Sequence, residues 1–285
     1  MPQRRRAIRF LIIASVLWSL GGLLIKLVNW NAPAIAGMRS AITAIVLFIY
    51  LRRPHFHWSP SQIGGALAYT CTVILFVLAN KLTTAANAIL LQYSAPIYVA
   101  LLGAWFLNEK ASGLDWLAII FVIGGMALFF LDDLTGGNWW GNICAMLSAA
   151  SFATLVIFLR KQKDASPFES VLLGNILTAL IGLPFMFGAM PDAKSWIGLL
   201  LLGVFQLGLP YIFYTAAIKH VAALEASLIP VLEALLNPLW VFLLIGETPS
   251  WWAVIGGMIV LGAVTARGIL VARIKSIAAN ESKPC

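Results

Sequence analysis

Apolar residues run along this chain in about ten stretches of roughly 20 residues, each closed by a short polar or turn-forming segment. A helix of that length crosses a hydrocarbon core of about 30 Å, so each stretch predicts a membrane-spanning helix. Ten spans in 285 residues leave only short connections and no sizeable aqueous domain. The pattern predicts an all-α polytopic membrane protein with spans at 7–29, 33–51, 61–81, 84–107, 114–131, 138–159, 167–188, 194–219, 222–245 and 251–273.

The first stretch has two features of a cleaved secretory signal, a basic start at 4–6 and a small-x-small sequence at 32–34. It is too long for the apolar region of such a signal, and it contains Trp18 and Lys26. A second span also follows it at once. We therefore expect an uncleaved first helix.

The composition agrees with a membrane protein and excludes an ordinary soluble chain. Hydrophobic residues make up 61% and charged residues 11%, against roughly 45–50% and 25% in soluble domains. The net charge of +8 would suggest a nucleic-acid partner in a soluble protein, but the basic residues lie in alternate loops, so we expect none. Cys71, Cys144 and Cys285 form neither a disulfide framework nor a metal-ligand spacing, and we expect no metal or cofactor.

The lysines and arginines set the expected orientation. If the N-terminus is cytoplasmic, fourteen Lys and Arg residues fall on the cytoplasmic side and only Lys81 and Lys194 on the other. The remaining three, Lys26, Arg39 and Arg267, lie within spans. By the positive-inside rule, a bias of this size predicts that both termini are cytoplasmic, which requires an even number of spans.

The chain also contains a weak internal repeat. Residues 86–125 align without gaps on 224–263 at a constant offset of 138, so that Glu109 meets Glu247. In both copies an apolar helix ends at this glutamate and is followed by a helix with phased glycines. With five spans in each half, the second copy must enter the membrane in the opposite sense. Inverted repeats of this kind are typical of transporters, in which two similar bundles enclose a midplane site and expose it alternately.

The same repeat carries a family resemblance. Its residues are Pro96, Asn108-Glu109 and Gly124-Gly125 in the first half, and Glu233, Gly246-Glu247, Gly256 and Gly262 in the second. Each half resembles one EamA repeat, with boundaries at 1–134 and 135–285. The whole chain resembles the drug/metabolite transporter (DMT) superfamily, and within it the YddG-type exporters of aromatic amino acids.

The resemblance implies a secondary transporter of the bacterial inner membrane, with a central cavity lined mainly by helices one, three, four, six, eight and nine. The fifth and tenth helices are expected outside the cavity. One residue departs from the family pattern, because Ala234 replaces the proline expected after Glu233, and Pro238 follows instead. We therefore expect the break in the ninth helix to differ from that in the fourth. A monomer suffices for a site enclosed by one chain.

Each charged residue inside a span costs at least about 2.5–3.5 kcal/mol of insertion free energy. Its presence therefore indicates a structural or functional role. Trp18, Gly22 and Lys26 follow i, i+4, i+8 spacing, and this face would offer a substrate an aromatic wall, a gap and a cation for a carboxylate. Lys26 is also close enough to the outer surface to snorkel, so both interpretations stay open. Arg39 could bind a substrate carboxylate, pair with a carboxylate on another helix or cap exposed carbonyls, and the structural pairing is favoured.

Glu233 is the only carboxylate predicted near the middle of a span, and Asn237 shares its helix face at i+4. Glu233 would receive a substrate ammonium group or a coupling proton, and the alternative is a hydrogen bond to a neighbouring helix. Glu109 and Glu247, at equivalent ends of their repeats, are better explained as interfacial caps or bonds between helices than as gates.

Polar and aromatic stripes complete the set of candidate substrate-binding residues. On the helices assigned to the cavity these are Tyr69, Asn80, Gln92, Tyr93, Tyr98, Gln206 and Tyr214. Hydroxyls and amides also bridge helices in ordinary membrane bundles, so any one of them is more often packing. Their joint occurrence beside prolines that free backbone carbonyls favours a site.

The sequence therefore predicts an exporter of amino acids, aromatic ones first, working by alternating access in a lipid bilayer. The alternative is export of drugs or other planar amphipathic compounds, since Glu233 alone suffices for a cation whereas a zwitterion needs groups of both signs. No enzyme is expected, because the chain lacks H-E-x-x-H, G-x-S-x-G and C-x-x-C motifs. A scaffold or receptor would leave the duplication without a purpose.

Overall fold

A computed structural model describes residues 2–129, 131, 138–188, 190–236 and 251–281, and within these ranges the chain contains helices and no strand. The α-helices are α1 (Pro2–Trp18), α2 (Gly21–Leu27), α3 (Ala32–Leu51), α4 (Pro60–Leu82), α5 (Ala85–Gln92), α6 (Ala95–Phe106), α7 (Gly113–Phe129), α8 (Trp139–Lys161), α9 (Pro167–Gly182), α10 (Ala193–Leu201), α11 (Leu209–Ile218), α12 (Ala223–Leu228) and α13 (Trp251–Glu281). Three further segments are helical, namely 3-10 turns at Leu183–Met186 and Ile229–Val231 and a π-helix at Leu202–Gly208.

Several helices begin where the sequence supplies a cap. The Asn31 side chain accepts a hydrogen bond from Ala34 N at 2.9 Å, and a proline follows in the first turn of α3. Asp192 caps α10 in the same way, accepting from Ser195 N at 2.9 Å. The hydrogen bonds from Ser195 hold the pKa of this exposed carboxyl below its usual value. Local sequence therefore fixes where these helices start.

Eight helical segments in the described part of the chain are long and apolar enough, by length and composition, to cross a membrane. They correspond to the predicted spans one to four, six to eight, and ten. The fifth predicted span is a shorter apolar helix, Gly113–Leu128. The ninth begins at Ala223 and passes beyond the described residues after position 236. The chain is thus a polytopic helical membrane protein, and the total of ten remains a prediction.

Four spans are interrupted near their middle, and helix breakers explain the interruptions. Pro96, Pro210 and Pro230 each lie in the first turn of a new helical segment, where the missing proline N–H is tolerated. The break between α1 and α2 precedes Gly21-Gly22 instead. With the offset of 138 residues, the break after Gln92 falls opposite the 3-10 turn of the ninth span. Such breaks are tolerated inside a membrane bundle because neighbouring groups satisfy the backbone hydrogen bonds, as the Tyr93 hydroxyl does at Pro230 O.

One end of the bundle, the far end, carries hydrogen bonds between connecting segments. There Lys26 Nζ donates to Thr83 O at 3.0 Å, and Lys81 Nζ donates to Val28 O at 2.8 Å. Lysine ammonium groups thus cap carbonyls that the helix ends leave free. This end holds the connection between α2 and α3 and the one between α4 and α5.

The opposite end, called the N-terminal end, is tied by ion pairs. Arg4 pairs with Glu225, which joins the start of the chain to α12. Arg160 Nε donates to Glu109 Oε1 at 2.8 Å, and the second oxygen of Glu109 accepts from Ala223 N at 2.8 Å. The prediction that Glu109 makes a structural bond between helices is confirmed. All these groups lie where α1, α6, α8 and α12 converge.

Helices α7 and α13 pack mainly on each other at the side of the bundle. The two helices approach each other closely at Gly125, since a Cβ atom added there would lie 3.0 Å from Gly256 O. A buried ion pair, Arg267 Nε to Asp115 Oδ1 at 2.7 Å, joins them as well. Neither helix contributes a residue to the cavity described below, as predicted for the fifth and tenth spans.

Candidate functional site

The interrupted spans surround a cavity with about 700 Å³ of empty space, including open solvent. Its lining residues are Trp18, Arg39, Thr72, Val73, Phe76, Ile89, Gln92, Tyr93, Ala95, Pro96, Phe152, Gln206, Leu207, Tyr211, Ser227, Pro230 and Glu233. They come from the first, third, fourth, sixth, eighth and ninth spans, as predicted, and Arg39 adds the second span. A concave, mainly apolar pocket with a few polar groups is the usual form of a small-molecule site.

One side of the cavity is aromatic. The Trp18 ring lies 5.2 Å from Tyr211 and 6.4 Å from Phe152, centroid to centroid, and both contacts are edge-to-face. All three rings line the cavity, and we call them the aromatic wall. Tyr69 and Tyr214 support the wall from behind, since Tyr69 lies 4.8 Å from Tyr211 and Tyr214 lies 5.2 Å from Trp18. The wall is therefore held in place by packing before any solute arrives.

Arg39 lines the cavity and is almost fully buried, with 1% of its surface exposed. Its Nη1 donates to Gln206 Oε1 at 3.2 Å and its Nη2 donates to Val73 O at 3.4 Å, while Nε has no hydrogen-bond partner. The predicted pairing with a carboxylate on another helix is wrong for the described residues, because both acceptors are neutral. In the described part of the chain no carboxylate lies within 4.0 Å of this guanidinium.

Glu233 supplies a carboxyl group to the cavity lining. Tyr93 lines the cavity too, and its hydroxyl donates its one hydrogen to Pro230 O at 3.1 Å. Pro230 lies in the 3-10 turn of the ninth span. The break in the fourth span places Tyr93, and the break in the ninth places its acceptor.

Amides and small hydroxyls fill the remaining polar positions of the lining. Gln92 and Gln206 come from opposite halves of the chain, and Thr72 and Ser227 bond to their own helices, to Ala68 O and Leu224 O. Gln206 lies in the π-helix, packed so closely on Gly21 that an added Cβ there would be 2.7 Å from its Nε2. Gly21, the first residue of α2, therefore makes room for this amide.

Three predicted site residues are buried behind the lining. The Tyr69 hydroxyl donates to Asn175 Oδ1 at 3.0 Å, and the Asn80 amide donates to Phe76 O at 2.9 Å. The Tyr214 hydroxyl is buried without a hydrogen-bond partner. Their roles in the structure are support and packing, since none of the three is part of the cavity surface.

Lys26 does not share the cavity wall with Trp18, contrary to one of the two interpretations of its spacing. The i, i+8 argument assumes a continuous helix, whereas α1 ends at Trp18 and α2 starts at Gly21. Lys26 is exposed, and its ammonium group caps Thr83 O at the far end. Tyr98 also lies outside the lining, half-buried on α6. Asn237, like Glu247, falls outside the described residues.

The structure adds Arg39, Phe152 and Tyr211 to the candidate residues. Arg39 carried a sequence signal, because a charge inside a span needs a partner, but the polarity of that partner could not be inferred from spacing. Phe152 carried none, since a phenylalanine in an apolar span is expected in any packing position. Within the described residues, no three His, Cys, Asp or Glu side chains cluster so as to hold a metal ion.

The arrangement suits reversible binding of an amphipathic solute. It has an aromatic surface, one cation and one carboxyl group, and it contains no nucleophile paired with a base in the manner of covalent catalysis. The charges lie in the membrane interior, where ionisable residues mark substrate pathways.

Comparison with known proteins agrees with this geometry. The sequence pattern of the EamA-like transporter family matches the chain twice, at residues 5–131 and 139–266. Similar proteins include an uncharacterized transporter of Archaeoglobus fulgidus, which is 24% identical and matches over 89% of this chain and 93% of its own length. The pseudopaline exporter CntI of Pseudomonas aeruginosa is 25% identical, over 90% of this chain and 93% of its own.

Human solute carrier family 35 member G1 is 24% identical, over 89% of this chain and 76% of its own. A crystal structure that is 18% identical superimposes with a TM-score of 0.76, over 93% of this chain and 98% of the other, which shows a shared fold. The two family matches together extend over most of the chain. The chain therefore belongs to the EamA-like transporter family, and it is a multi-pass membrane transporter of small molecules rather than an enzyme.

Proposed function

We propose that this transporter exports amino acids, aromatic ones in the first place, and related small metabolites. The observation that carries the proposal is an aromatic wall in a cavity whose lining also includes Arg39 and Glu233. An aromatic amino acid presents a planar apolar ring, a carboxylate and an ammonium group, and the cavity offers a counterpart for each. Export as the direction is supported by the relative named as a pseudopaline exporter.

For the transport cycle we propose alternating access between two inverted repeats of five spans, at 1–134 and 135–285. The gapless alignment at an offset of 138 residues supports this, as do the span breaks at equivalent positions. The excess of Lys and Arg supports cytoplasmic termini, so that the N-terminal end faces the cytoplasm. We place the protein in the bacterial inner membrane as a functional monomer surrounded by lipid.

The second candidate function is export of planar cations, including drugs. It is favoured by one specific feature, the aromatic wall combined with the Glu233 carboxyl group, which together suit a cation on an aromatic face. Arg39 argues against it, because a second buried cation repels such a solute.

The test is counterflow with purified protein in liposomes preloaded with unlabelled tryptophan. We expect labelled tryptophan to enter by saturable exchange that phenylalanine competes and ethidium, a planar cation, does not. Protein-free liposomes give the background. Competition by ethidium but by no amino acid would replace the proposal with the second candidate, and no tryptophan exchange by folded protein would contradict it.

A further inference from the structure

Most of the hydrogen-bonding capacity of Arg39 is unused. A guanidinium carries five N–H groups. In the structure Arg39 makes one hydrogen bond of 3.2 Å to the Gln206 amide and one of 3.4 Å to the Val73 carbonyl, and its Nε makes none. Both acceptors are neutral, and the longer bond is near the limit of useful geometry. The side chain is buried, with 1% of its surface exposed.

The charge of Arg39 is also uncompensated. Three ion pairs occur among the described residues, and each joins another arginine to a carboxylate: Arg4–Glu225, Arg160–Glu109 and Arg267–Asp115. Arg267 is a useful counterpart, because it is also buried and is paired with an acid. A buried charge without a partner is strongly unfavourable unless an anion arrives. Arg39 is thus prepared for an anion that the described protein residues do not supply.

The unpaired N–H groups of Arg39 belong to a side chain that lines the cavity, where a solute would bind. Arg39, Gln206 and the aromatic wall all line the same cavity, so an anion at Arg39 would be continuous with a ring on the wall. Glu233 lines it too, and it forms no ion pair with Arg39. The guanidinium and the carboxyl group therefore remain available to a ligand instead of pairing with each other.

We infer that Arg39 is the carboxylate-binding residue of the cavity, and that the transporter selects solutes carrying a carboxylate next to a planar ring. The inference rests on the proposed function, which it narrows. A carboxylate has two oxygens that match the parallel N–H groups of a guanidinium, and such bidentate pairs are the strong ones. In the empty cavity Arg39 Nη1 donates to Gln206 Oε1. When the carboxylate binds, it replaces Gln206 Oε1 as the acceptor.

Four indole compounds separate the contributions of the two charges. Tryptophan carries a carboxylate and an ammonium group, indole-3-propionate only the carboxylate, tryptamine only the ammonium group, and 3-methylindole neither. Each is added to purified protein in detergent, and the thermal midpoint and dissociation constant are measured. We expect tryptophan and indole-3-propionate to stabilise the protein and 3-methylindole to be without effect.

Two variants at Arg39 and one at Gln206 then test the residue. Arg39→Gln should weaken binding of both carboxylates about 10- to 100-fold, the loss expected for a charged hydrogen bond, and leave tryptamine binding unchanged or stronger. Arg39→Lys should recover part of the affinity, because a lysine keeps the charge but not the fork. Gln206→Glu places a carboxylate 3.2 Å from Nη1, and it should raise the thermal midpoint while excluding indole-3-propionate.

Arg267→Gln is the matched control, since it removes a buried arginine that is remote from the cavity. It should lower the thermal midpoint without changing the preference for carboxylates. If Arg39→Gln fails to fold, Gln206→Glu still tests the inference. Unchanged indole-3-propionate binding in folded Arg39→Gln, or in a stabilised Gln206→Glu, would overturn it.

The outcome is distinguishable from failure of the proposed function. If wild-type protein in liposomes exchanges no tryptophan, but its binding of indole-3-propionate depends on Arg39, the anion site stands and the amino-acid proposal falls. If tryptophan is exchanged equally well by wild type and Arg39→Gln, the proposed function stands and the role of Arg39 is overturned.

Discussion

Trp18 gives the aromatic wall its largest surface, and its partners hold the ring edge-to-face. Replacement by alanine removes a ring that a planar solute would stack on, a contact that contributes about 0.5–1.5 kcal/mol beyond area burial. We expect Trp18→Ala to weaken tryptophan binding roughly tenfold and Trp18→Phe to weaken it much less, by direct binding measurements on folded protein.

Trp105→Ala is the control for this prediction, because Trp105 is 84% exposed on the bundle surface. Its loss should leave tryptophan binding unchanged. Equal weakening by Trp18→Ala and Trp105→Ala would indicate a general effect on the fold and contradict a specific role for the wall.

Glu233 is predicted to bind the ammonium group of the substrate. Glu233→Gln keeps the shape of the side chain but removes a group that can carry a negative charge, so we expect tryptophan and tryptamine binding to fall about tenfold. Indole-3-propionate, which has no ammonium group, should bind as before. A loss of all three ligands would instead identify Glu233 as a structural residue.

At single positions, the sequence predicted the types of residue better than their partners. Trp18, Gln92, Tyr93, Gln206 and Glu233 were predicted and line the cavity, because polar or bulky residues beside helix breaks have few other places to go. Lys26 was misplaced on Trp18's wall, since spacing along one helix does not survive a break within it. Arg39 needed the structure, because its surroundings come from α4 and the π-helix, far away in sequence.

Among the elements, helix pairing depends on a few glycines, and α7 and α13 allow a sharp test. A Cβ atom on Gly125 would lie 2.8 Å from Val260 and 3.0 Å from Gly256 O, whereas one on the adjacent Gly124 meets nothing within 4 Å. Gly125→Ala should therefore push the helices apart and lower the thermal midpoint, with a cost of about 1–3 kcal/mol.

Gly124→Ala is the neighbouring control, and it should be neutral or slightly stabilising because alanine is the better helix former. The measurement is thermal unfolding of both variants in the same detergent. Equal stability of the two would contradict the close packing of α7 on α13.

The breaks within spans were predictable only where proline causes them. Pro96, Pro210 and Pro230 each mark a segment start, as proline sterics require. The π-helix at Leu202–Gly208 has no such marker within it. Its Gly203 packs closely against Ile42, where an added Cβ would be 2.5 Å away. The local sequence did not predict this stretch of backbone geometry.

For the whole molecule, the ion pairs at the N-terminal end are the contacts that a transport cycle has to break if this end opens. Arg4 and Glu225 are 221 residues apart in sequence, so the pair joins the two halves of the chain. Positive-inside counting predicted which end is basic, but it could not predict which acid each arginine finds. Hydropathy predicts ten spans and the Lys and Arg count predicts their orientation, whereas ties between the halves require the fold.

We predict that Glu225→Arg destabilises the closed N-terminal end by placing two cations together. The double variant Arg4→Glu with Glu225→Arg should restore the pair, with a coupling of about 1 kcal/mol in thermal stability. Exchange rates of the single and double variants in liposomes give the second readout. Additive effects of the two substitutions would contradict an ion pair that matters for either stability or exchange.

The proposed transport cycle requires substrate to occupy this cavity. Ser227 lies in its lining, and Ser227→Cys introduces a small thiol there in protein whose own cysteines have been replaced by serine. Ser148→Cys is the control, because Ser148 is buried but outside the lining. The measurement is the rate at which a water-soluble maleimide modifies each thiol, with and without tryptophan.

We expect the maleimide to modify Ser227→Cys and to leave Ser148→Cys unmodified. Saturating tryptophan should slow the modification of Ser227→Cys several-fold, and tryptamine should slow it less. Modification of Ser227→Cys at the same rate with and without tryptophan, in protein that exchanges tryptophan, would contradict substrate occupancy of the cavity.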